Sequence, residues 1–560
     1  MGLDLKKISV TTWIILAGIF LYTASLWQRP LFVPEFICNA GAIDALTNGT
    51  APSPGDVLHC FVFKFFGTTP FTFRIVPALL TLLAAGAIFL AGSFTERSNT
   101  AKGGAIIFLL TPVVFLSGTS ALSFIYNGAP LVISFWLLFM TSESRNWRKG
   151  ILPGVGAALF LLISLFLWGG VTHLLFLFAV WCIYGLLTVF ICDVSGAKKK
   201  FLAVLSSLLP FVPSLLLIPF AAQGSAPLQC QGLKTVAAVV VAGSFPWVIF
   251  LPALLKNLSV RFSLIIHERF TLAAFLLAAA SLAALFVMPL SRGFFIPCLA
   301  GSAVLLAALL EMEHAENGFR AANVVLYILA ALFFLAAGAL TAYGILGAYT
   351  KVLKPAWKIF TARDAWGLTA IVPAVAAVWC LTGAWEKISK ERKFLSLAAG
   401  TAFLLLAFHG LVPLKIVENN APVNFLQKVV MPRTGTEAVF YGDAAMVAPL
   451  QCVFKKSPVK AFSFEKDLTE IKKALRSKER MCVITLSRSV SKKMPFPKTT
   501  LRSGNFNAVF YNIDFPKCGG GNHEKALLVV ADLCRWAVFA SCHLPSSHES
   551  GGVPLCGNFP

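Results

Sequence analysis

The sequence predicts a mostly α-helical, polytopic membrane protein with about 13 transmembrane helices and a small C-terminal α/β domain outside the membrane. Three observations predict it. Of 560 residues, 57% are hydrophobic and only 13% are charged, where a soluble domain carries about 25% charge. The apolar residues gather in runs long enough to cross a bilayer, which takes about 20 residues. Past residue 413 the pattern changes, and strand-length runs with a charged helical stretch replace the long apolar runs.

The first run, Val10 to Trp27, follows Lys6 and Lys7 and has no small-residue cleavage site after it, so it reads as a retained helix. Further runs lie near 71–94, 104–121, 127–141, 151–168, 171–192, 201–221, 236–254, 270–289, 294–311, 322–347, 366–384 and 394–413. Charge tests the count. With the N-terminus in the cytoplasm, the inner loops are Glu96–Lys102, Arg145–Lys149, Lys198–Lys200, Lys256–Arg269, Glu311–Arg320 and Glu386–Lys393, and most hold clusters of Lys or Arg. The opposite loops Gly169–Gly170, Ala222–Lys234 and Ser291–Gly293 are poor in charge. This is the positive-inside pattern. It accounts for the net charge of +22 without nucleic acid as a partner.

The transmembrane domain is thus 1–413, with a long first outer loop at 28–70 whose apolar stretches suit helices lying along the interface. Residues 348–365, with Lys351, Lys354 and Lys358 among Trp357 and Phe360, read as a second amphipathic interfacial segment or as a solvated loop. The α/β domain is 414–516, with strand-like runs at Ala438–Tyr441, Met481–Leu486 and Ala508–Tyr511 and a helical stretch at Glu465–Lys478. Residues 517–560 form a tail holding Cys518, Cys534, Cys542 and Cys556, which does not fit that domain. Of the 13 Cys, Cys182, Cys192, Cys298 and Cys380 sit in apolar runs and read as small buried hydrophobes. Cys452 and Cys482 lie in the hydrophilic domain, where a disulfide stays open.

Carboxylates on the outer side are few. Glu35 follows the first span in Arg29-Pro30-Leu31-Phe32-Val33-Pro34-Glu35, stiffened by two prolines. A carboxylate there suits an acceptor-orienting group, a general base or a divalent-metal ligand, and equally an ordinary solvated loop residue. Asp44 and Asp56 are weaker candidates for the same roles. Arg29, Lys64, Arg74, Arg292 and the set Lys351, Lys354 and Lys358 lie where cations grip a lipid phosphate, although such residues also snorkel for structural reasons. His59 and His173 stand alone on the outer side, without a metal-ligand partner at a recognised spacing. Asn48-Gly49-Thr50 matches the short N-glycosylation pattern.

Several stretches carry a resemblance. Arg29 to Glu35 looks like RPLW-x-P-D-E. Phe66-Gly67 followed by Phe73-Arg74 looks like FG…F-x-x-R. Gly118-Thr119-Ser120-Ala121 with Phe135-Trp136 is similar to GTYA…FW. Gly243-Ser244-Phe245-Pro246-Trp247 with Leu251-Pro252 is similar to GSLPW…LP, and Ser291-Arg292-Gly293 with Ile296-Pro297-Cys298 lies where S-x-x-K-L-P-x-Y-x-L-P-C is expected. Over residues 8 to 515 the chain resembles the polyprenyl-phosphate-sugar-dependent GT-C glycosyltransferases of the lipid A aminoarabinose transferase and protein O-mannosyltransferase-like group. It departs from them too. The acidic pair is reduced to Glu35 before Phe36. The Lys-Pro is absent from Gly55-Asp56-Val57-Leu58-His59. Tyr126-Asn127-Gly128-Ala129-Pro130 stands for an Asp-Pro, and Gly293-Phe294-Phe295 for Lys-Leu-Pro.

The resemblance implies a multi-pass protein of the cell inner membrane, with its C-terminal domain periplasmic. It implies inverting transfer of a sugar from a polyprenyl-phosphate donor to an envelope acceptor, which is a lipid A-like lipid, a glycan or a protein. Glu35 takes the position of the first family acid and is the catalytic candidate. Arg29, Lys64, Arg74, Asn127, Arg292, Lys351 and Lys354 are the substrate-binding candidates, since cations must hold the charge of a phosphate leaving group. No resident cofactor is required; a divalent metal is left open. Two rivals stand beside this reading. One is a catalytically inactive relative acting as a membrane binding or scaffold protein. The other is a lipid-linked-sugar transporter, which the placement of charges at span ends rather than mid-membrane disfavours.

Overall fold

The computed structural model describes residues 18–20, 22–23, 26, 31–52, 56–95, 97–120, 123–144, 147–168, 170–191, 203–218, 244–252, 267–287, 291–312, 317–349, 366–385, 390–411, 421–434, 438–454, 457–461, 480–486, 499–503 and 506–511. The first outer loop folds into three short helices, α1 (Val33–Cys38), α2 (Ala40–Asn48) and α3 (Val57–Phe66). The bundle follows: α4 (Pro70–Phe94), α5 (Ser98–Leu109), α6 (Pro112–Thr119), α7 (Ser123–Glu143), α8 (Trp147–Ile163, running on as a π turn to Trp168), α9 (Gly170–Ile191), α10 (Arg269–Val287), α11 (Phe295–Met312), α12 (Asn317–Tyr349), α13 (Trp366–Gly383) and α14 (Lys390–Leu411). Among the described residues five helices are long and apolar enough to cross a membrane, or six when α5 and α6 count as one bent span. The chain is therefore a multi-pass membrane protein.

The run expected as one helix over 104–121 is instead broken. It starts earlier, at Ser98, and α5 and α6 meet at 63°. Pro112 has no N–H to continue the ladder and pushes Thr111 to an extended ψ of 121°, which ends α5.

Polar contacts fix which helix ends share a face. At one end Arg97 pairs with Glu268, Thr100 hydrogen-bonds Glu311, Arg269 Nη1 lies 2.7 Å from Glu143, and Tyr184 donates to Glu143 at 3.4 Å. Described residues of the basic loops Glu96–Lys102, Lys256–Arg269 and Glu311–Arg320 lie at this end. At the other end Gly128 of α7 packs on Gly293 and Ile296, and Gly293 packs on His173 of α9. Helices α4 to α11 thus alternate in direction. The chain leaves α9 and begins α10 on the same face. Of the expected runs 201–221 and 236–254 the structure describes 203–218, with a short helix at Phe211–Leu216, and 244–252, with a 3-10 turn at Trp247–Phe250.

Close backbone approach holds the bundle. A Cβ on Gly301 of α11 would sit 2.5 Å from the Ala274 carbonyl oxygen and 2.7 Å from the Ala278 nitrogen of α10. One on Gly104 of α5 would meet Val304 at 2.9 Å. Between helices in lipid the hydrophobic effect is weak, and small residues that admit such contact supply the van der Waals energy.

The C-terminal sheet has the order β2-β1-β3-β5-β4, formed by β1 (Val439–Gly442), β2 (Val459–Ala461), β3 (Met481–Thr485), β4 (Thr499–Ser503) and β5 (Phe506–Tyr511). β1 runs parallel to β2 and β3, and β5 antiparallel to β3 and β4. Helix α15 (Ala444–Val453) follows β1 and docks the sheet on the first outer loop. Ala448 joins Leu31, Phe36, Ala42, Ile43, Phe63 and Phe73 in one apolar cluster, and Gln451 Nε2 donates to Asp44 Oδ1 at 3.0 Å. The domain therefore sits on the face of the first outer loop, opposite the basic end. No disulfide joins Cys452 and Cys482. Cys482 is buried in β3 within the sheet core while Cys452 faces the loop-helix cluster. The expected helix Glu465–Lys478 and the tail 517–560 lie outside the described residues, as does the segment 348–365 but for its first two residues, which end α12.

Candidate functional site

The outer loop and the bundle meet over three adjoining polar groups. The first is built from two helix starts. In α1, Phe32 is the N-cap and its N–H donates to Glu35 Oε2 at 2.9 Å, so the acid closes its own helix. In α4, Thr69 caps the helix and Pro70 takes its first position. The turn into it passes through Gly67 at φ 74°, a conformation that favours glycine. Arg74 then lies about one turn into α4. Its Nε donates to Glu35 Oε1 at 2.7 Å and its Nη2 to Glu35 Oε2 at 2.9 Å, while Nη1 reaches the Leu26 carbonyl at 3.4 Å. Both side chains are 1% exposed. The guanidinium fork matches a carboxylate bidentately, and each charge has its counter-charge and hydrogen bonds in place.

The second group lies beside it. His59 Nε2 and the Tyr126 hydroxyl are 3.0 Å apart, with the rings edge to face. Asn39 Nδ2 donates to the Glu35 carbonyl at 2.8 Å, and the Asn39 side chain also hydrogen-bonds the Tyr126 hydroxyl. Burial pushes His59 down to about 4 from the usual 6.5, because a charged ring is costly away from water. The imidazole is therefore neutral near pH 7.

This has a consequence for stability. The unfolded chain protonates at His59 below about pH 6.5 while the folded one resists to about 4. The unfolded state thus binds more protons in that window, and stability falls as pH falls through it. The loss is about 1.4 kcal/mol per pH unit crossed. His59→Gln should flatten this part of an unfolding-versus-pH curve measured in detergent. An unchanged slope between pH 6.5 and 4 would contradict the assignment.

The third group is at the mouth of the bundle. Asn127 is half-buried next to Tyr126. A Cβ on Gly293 would lie 2.7 Å from His173 Nε2 and 2.8 Å from Asn127 Cβ, and the His173 ring packs on Phe294 at 4.9 Å. Arg292 is in the same short 3-10 turn, Ser291–Phe294.

The structure thus brings together Glu35 and Arg74, while Asn127 follows Tyr126 on α7 and packs near Gly293, next to Arg292 in the chain. Lys64 is exposed on α3, whose His59 and Phe63 are buried. Arg29, Lys351 and Lys354 lie outside the described residues. Asp44 accepts from Asn48, Thr50 and Gln451 and ties the loop to the C-terminal domain. Sequence reasoning missed Asn39 and the role of Tyr126, and treated His59 as solitary. Asn39 follows Glu35 by four residues, a spacing that places two side chains on one helical face. Among the described residues no group of three or more His, Cys, Asp or Glu could hold a metal, and both Glu35 oxygens are engaged by Arg74.

The fold is thus a bundle of alternating spans that carries a helical first outer loop and an α/β cap on one face. No family model and no curated protein matches the chain. Among solved structures it is similar to ArnT, the lipid A aminoarabinose transferase, from Cupriavidus metallidurans in the apo state, with TM-score 0.61 and 14% identity over 89% of this chain and 97% of that one. It is likewise similar to the same protein bound to undecaprenyl phosphate, with TM-score 0.63 and 13% identity over 90% and 98%. A looser likeness is to the archaeal oligosaccharyltransferase AglB from Archaeoglobus fulgidus, with TM-score 0.42 and 11% identity over 85% and 69%. The resemblance read from the motifs is borne out as a shared fold.

Proposed function

We propose that the chain is an integral membrane glycosyltransferase that moves a sugar, with inversion, from a polyprenyl-phosphate donor to an envelope acceptor on the outer face of the membrane. It has thirteen spans in the inner membrane, a cytoplasmic N-terminus and a periplasmic C-terminal domain, and α1 to α3 lie along the interface. The observation that carries the reading is the site position. Glu35 and Arg74 pair beneath the first outer loop of a fold shared, over 90% of this chain and 98% of the other, with a protein whose structure holds undecaprenyl phosphate.

In this reading Arg74 and Arg292, with Arg29, Lys64, Lys351 and Lys354, hold the donor phosphate, and Asn127 lines the mouth. Phosphate leaving from the anomeric carbon needs cations at the oxygens that gain charge. Glu35 is the acid of the site. It takes the proton of a hydroxyl acceptor, and for an acceptor that is already anionic it orients Arg74.

One observation favours a second reading. Glu35 and Arg74 neutralise each other and are 1% exposed, which suits a structural anchor in a catalytically inactive membrane scaffold. Radiolabelled transfer from a panel of polyprenyl-phosphate sugars to mixed envelope acceptors separates the two. The expected result is transfer by the wild type and a loss of about 100-fold or more in Glu35→Gln, as for a lost catalytic acid or base. Glu35→Gln protein that is folded and transfers at the wild-type rate removes Glu35 from the mechanism.

A further inference from the structure

One buried polar atom beside the site lacks a partner. Asn39 is 0% exposed, and its Oδ1 accepts no hydrogen bond among the described residues. Its orientation is fixed. The Glu35 carbonyl can only accept, so the atom 2.8 Å from it is the amide nitrogen, and Oδ1 is turned away. The second proton of Nδ2 serves the Tyr126 hydroxyl. Tyr126 also hydrogen-bonds Nε2 of neutral His59 at 3.0 Å. A linked set results, Asn39, Tyr126 and His59, in which Oδ1 is the unmet acceptor. A buried acceptor left without a donor is costly, so such an atom marks a place where a donor arrives.

The surroundings decide the donor class. The neighbouring charges, Glu35 and Arg74, cancel in their bidentate pair. The imidazole and phenol are neutral. A phosphate oxygen has no proton to give Oδ1. A hydroxyl of an uncharged ring has both the proton and the neutrality. Asn127, half-buried and next in sequence to Tyr126, places the group beside the contact between α7 and the Ser291–Phe294 turn.

We propose that Asn39, held by Tyr126 and His59, forms a subsite for a ring hydroxyl of the donor sugar, distinct from the cations that hold the donor phosphate. The subsite rests on the glycosyltransferase reading. Asn39 touches the sugar, and His59 is a positioning residue that acts through Tyr126.

The test uses the full-length protein in nanodiscs and two probes, undecaprenyl phosphate and undecaprenyl phosphate carrying a neutral hexose. Wild type should bind the hexose-bearing probe more tightly. Asn39→Ala should weaken that probe by about tenfold, the effect of one lost hydrogen bond in a buried site, and undecaprenyl phosphate by less than about twofold. Tyr126→Phe keeps the ring and removes the hydroxyl. It should show the same selectivity to a smaller degree, and it decides the matter alone if Asn39→Ala does not fold. Equal weakening of both probes, no change in either, or a wild type indifferent to the hexose overturns the subsite, leaving water as the partner of Oδ1. A wild type that binds neither probe overturns the glycosyltransferase reading itself.

Discussion

Arg74→Leu is expected to destabilise the protein by about 3–5 kcal/mol, the cost of stranding one member of a buried ion pair. Glu35 would keep the Phe32 N–H as a partner and lose both guanidinium bonds while remaining 1% exposed. Its unpaired charge would open α1, and the docking of α15 on the first outer loop would loosen with it, because Phe36, Phe73 and Ala448 belong to one cluster. Removing both charges should be milder than removing one, since apolar replacements of a buried pair are often neutral. Thermal unfolding of Arg74→Leu, Glu35→Leu and Glu35→Leu/Arg74→Leu in the same detergent measures this. A double variant as unstable as the sum of the singles would contradict the pairing.

Gly128→Val is expected to cost about 1–3 kcal/mol through overpacking and to reduce transfer more than stability. A Cβ at this position would lie 2.5 Å from the Gly293 carbonyl oxygen and 2.5 Å from Ile296 Cβ. Backbone on the far side cannot rotate away as a long side chain would, so the Ser291–Phe294 turn must shift and carry Arg292 and the packing of Gly293 on His173 and Asn127 with it. Gly86→Ala is the matched control, because nothing lies within 4 Å of a Cβ there. Loss of transfer by at least about tenfold, from a mouth displaced by an ångström or so, follows from how steeply catalysis depends on geometry. Transfer unchanged in Gly128→Val would mean that the mouth of the bundle is not part of the site.

Much of the architecture is legible because the bilayer writes it in plain composition. Run length gave α4, α9, α10 and α11 to within about two residues. The basic loops predicted which ends meet, as the Arg97–Glu268 and Arg269–Glu143 pairs bear out. The bend at Thr111-Pro112 was hidden inside an unbroken apolar run, where hydropathy does not register a missing N–H. In the sheet β1, β3 and β5 are apolar and readable. β2 has three residues, and β4, Thr499–Ser503, carries Thr, Arg and Ser, so each exists through its neighbour and not through its own pattern.

The site is less legible, because its groups are made by contacts far apart in sequence. Glu35 and Arg74 were each identified, one as an acid and one as a phosphate grip. That each satisfies the other depends on a contact across 39 residues. His59 read as solitary because its partner Tyr126 is 67 residues away. Asn39 carried a local signal in its spacing from Glu35, yet its unmet acceptor is visible only in three dimensions.

The central claim is sugar transfer, and its most direct test is single-turnover transfer by purified wild-type protein in nanodiscs. Hexose-bearing polyprenyl phosphates would be supplied together with extracted envelope lipids, glycans and proteins, and free polyprenyl phosphate and glycosylated product would be followed at once. The account predicts that the two form in equal amounts and with inverted anomeric configuration. Folded protein that binds undecaprenyl phosphate yet releases neither product would contradict it, leaving a membrane scaffold on a glycosyltransferase fold.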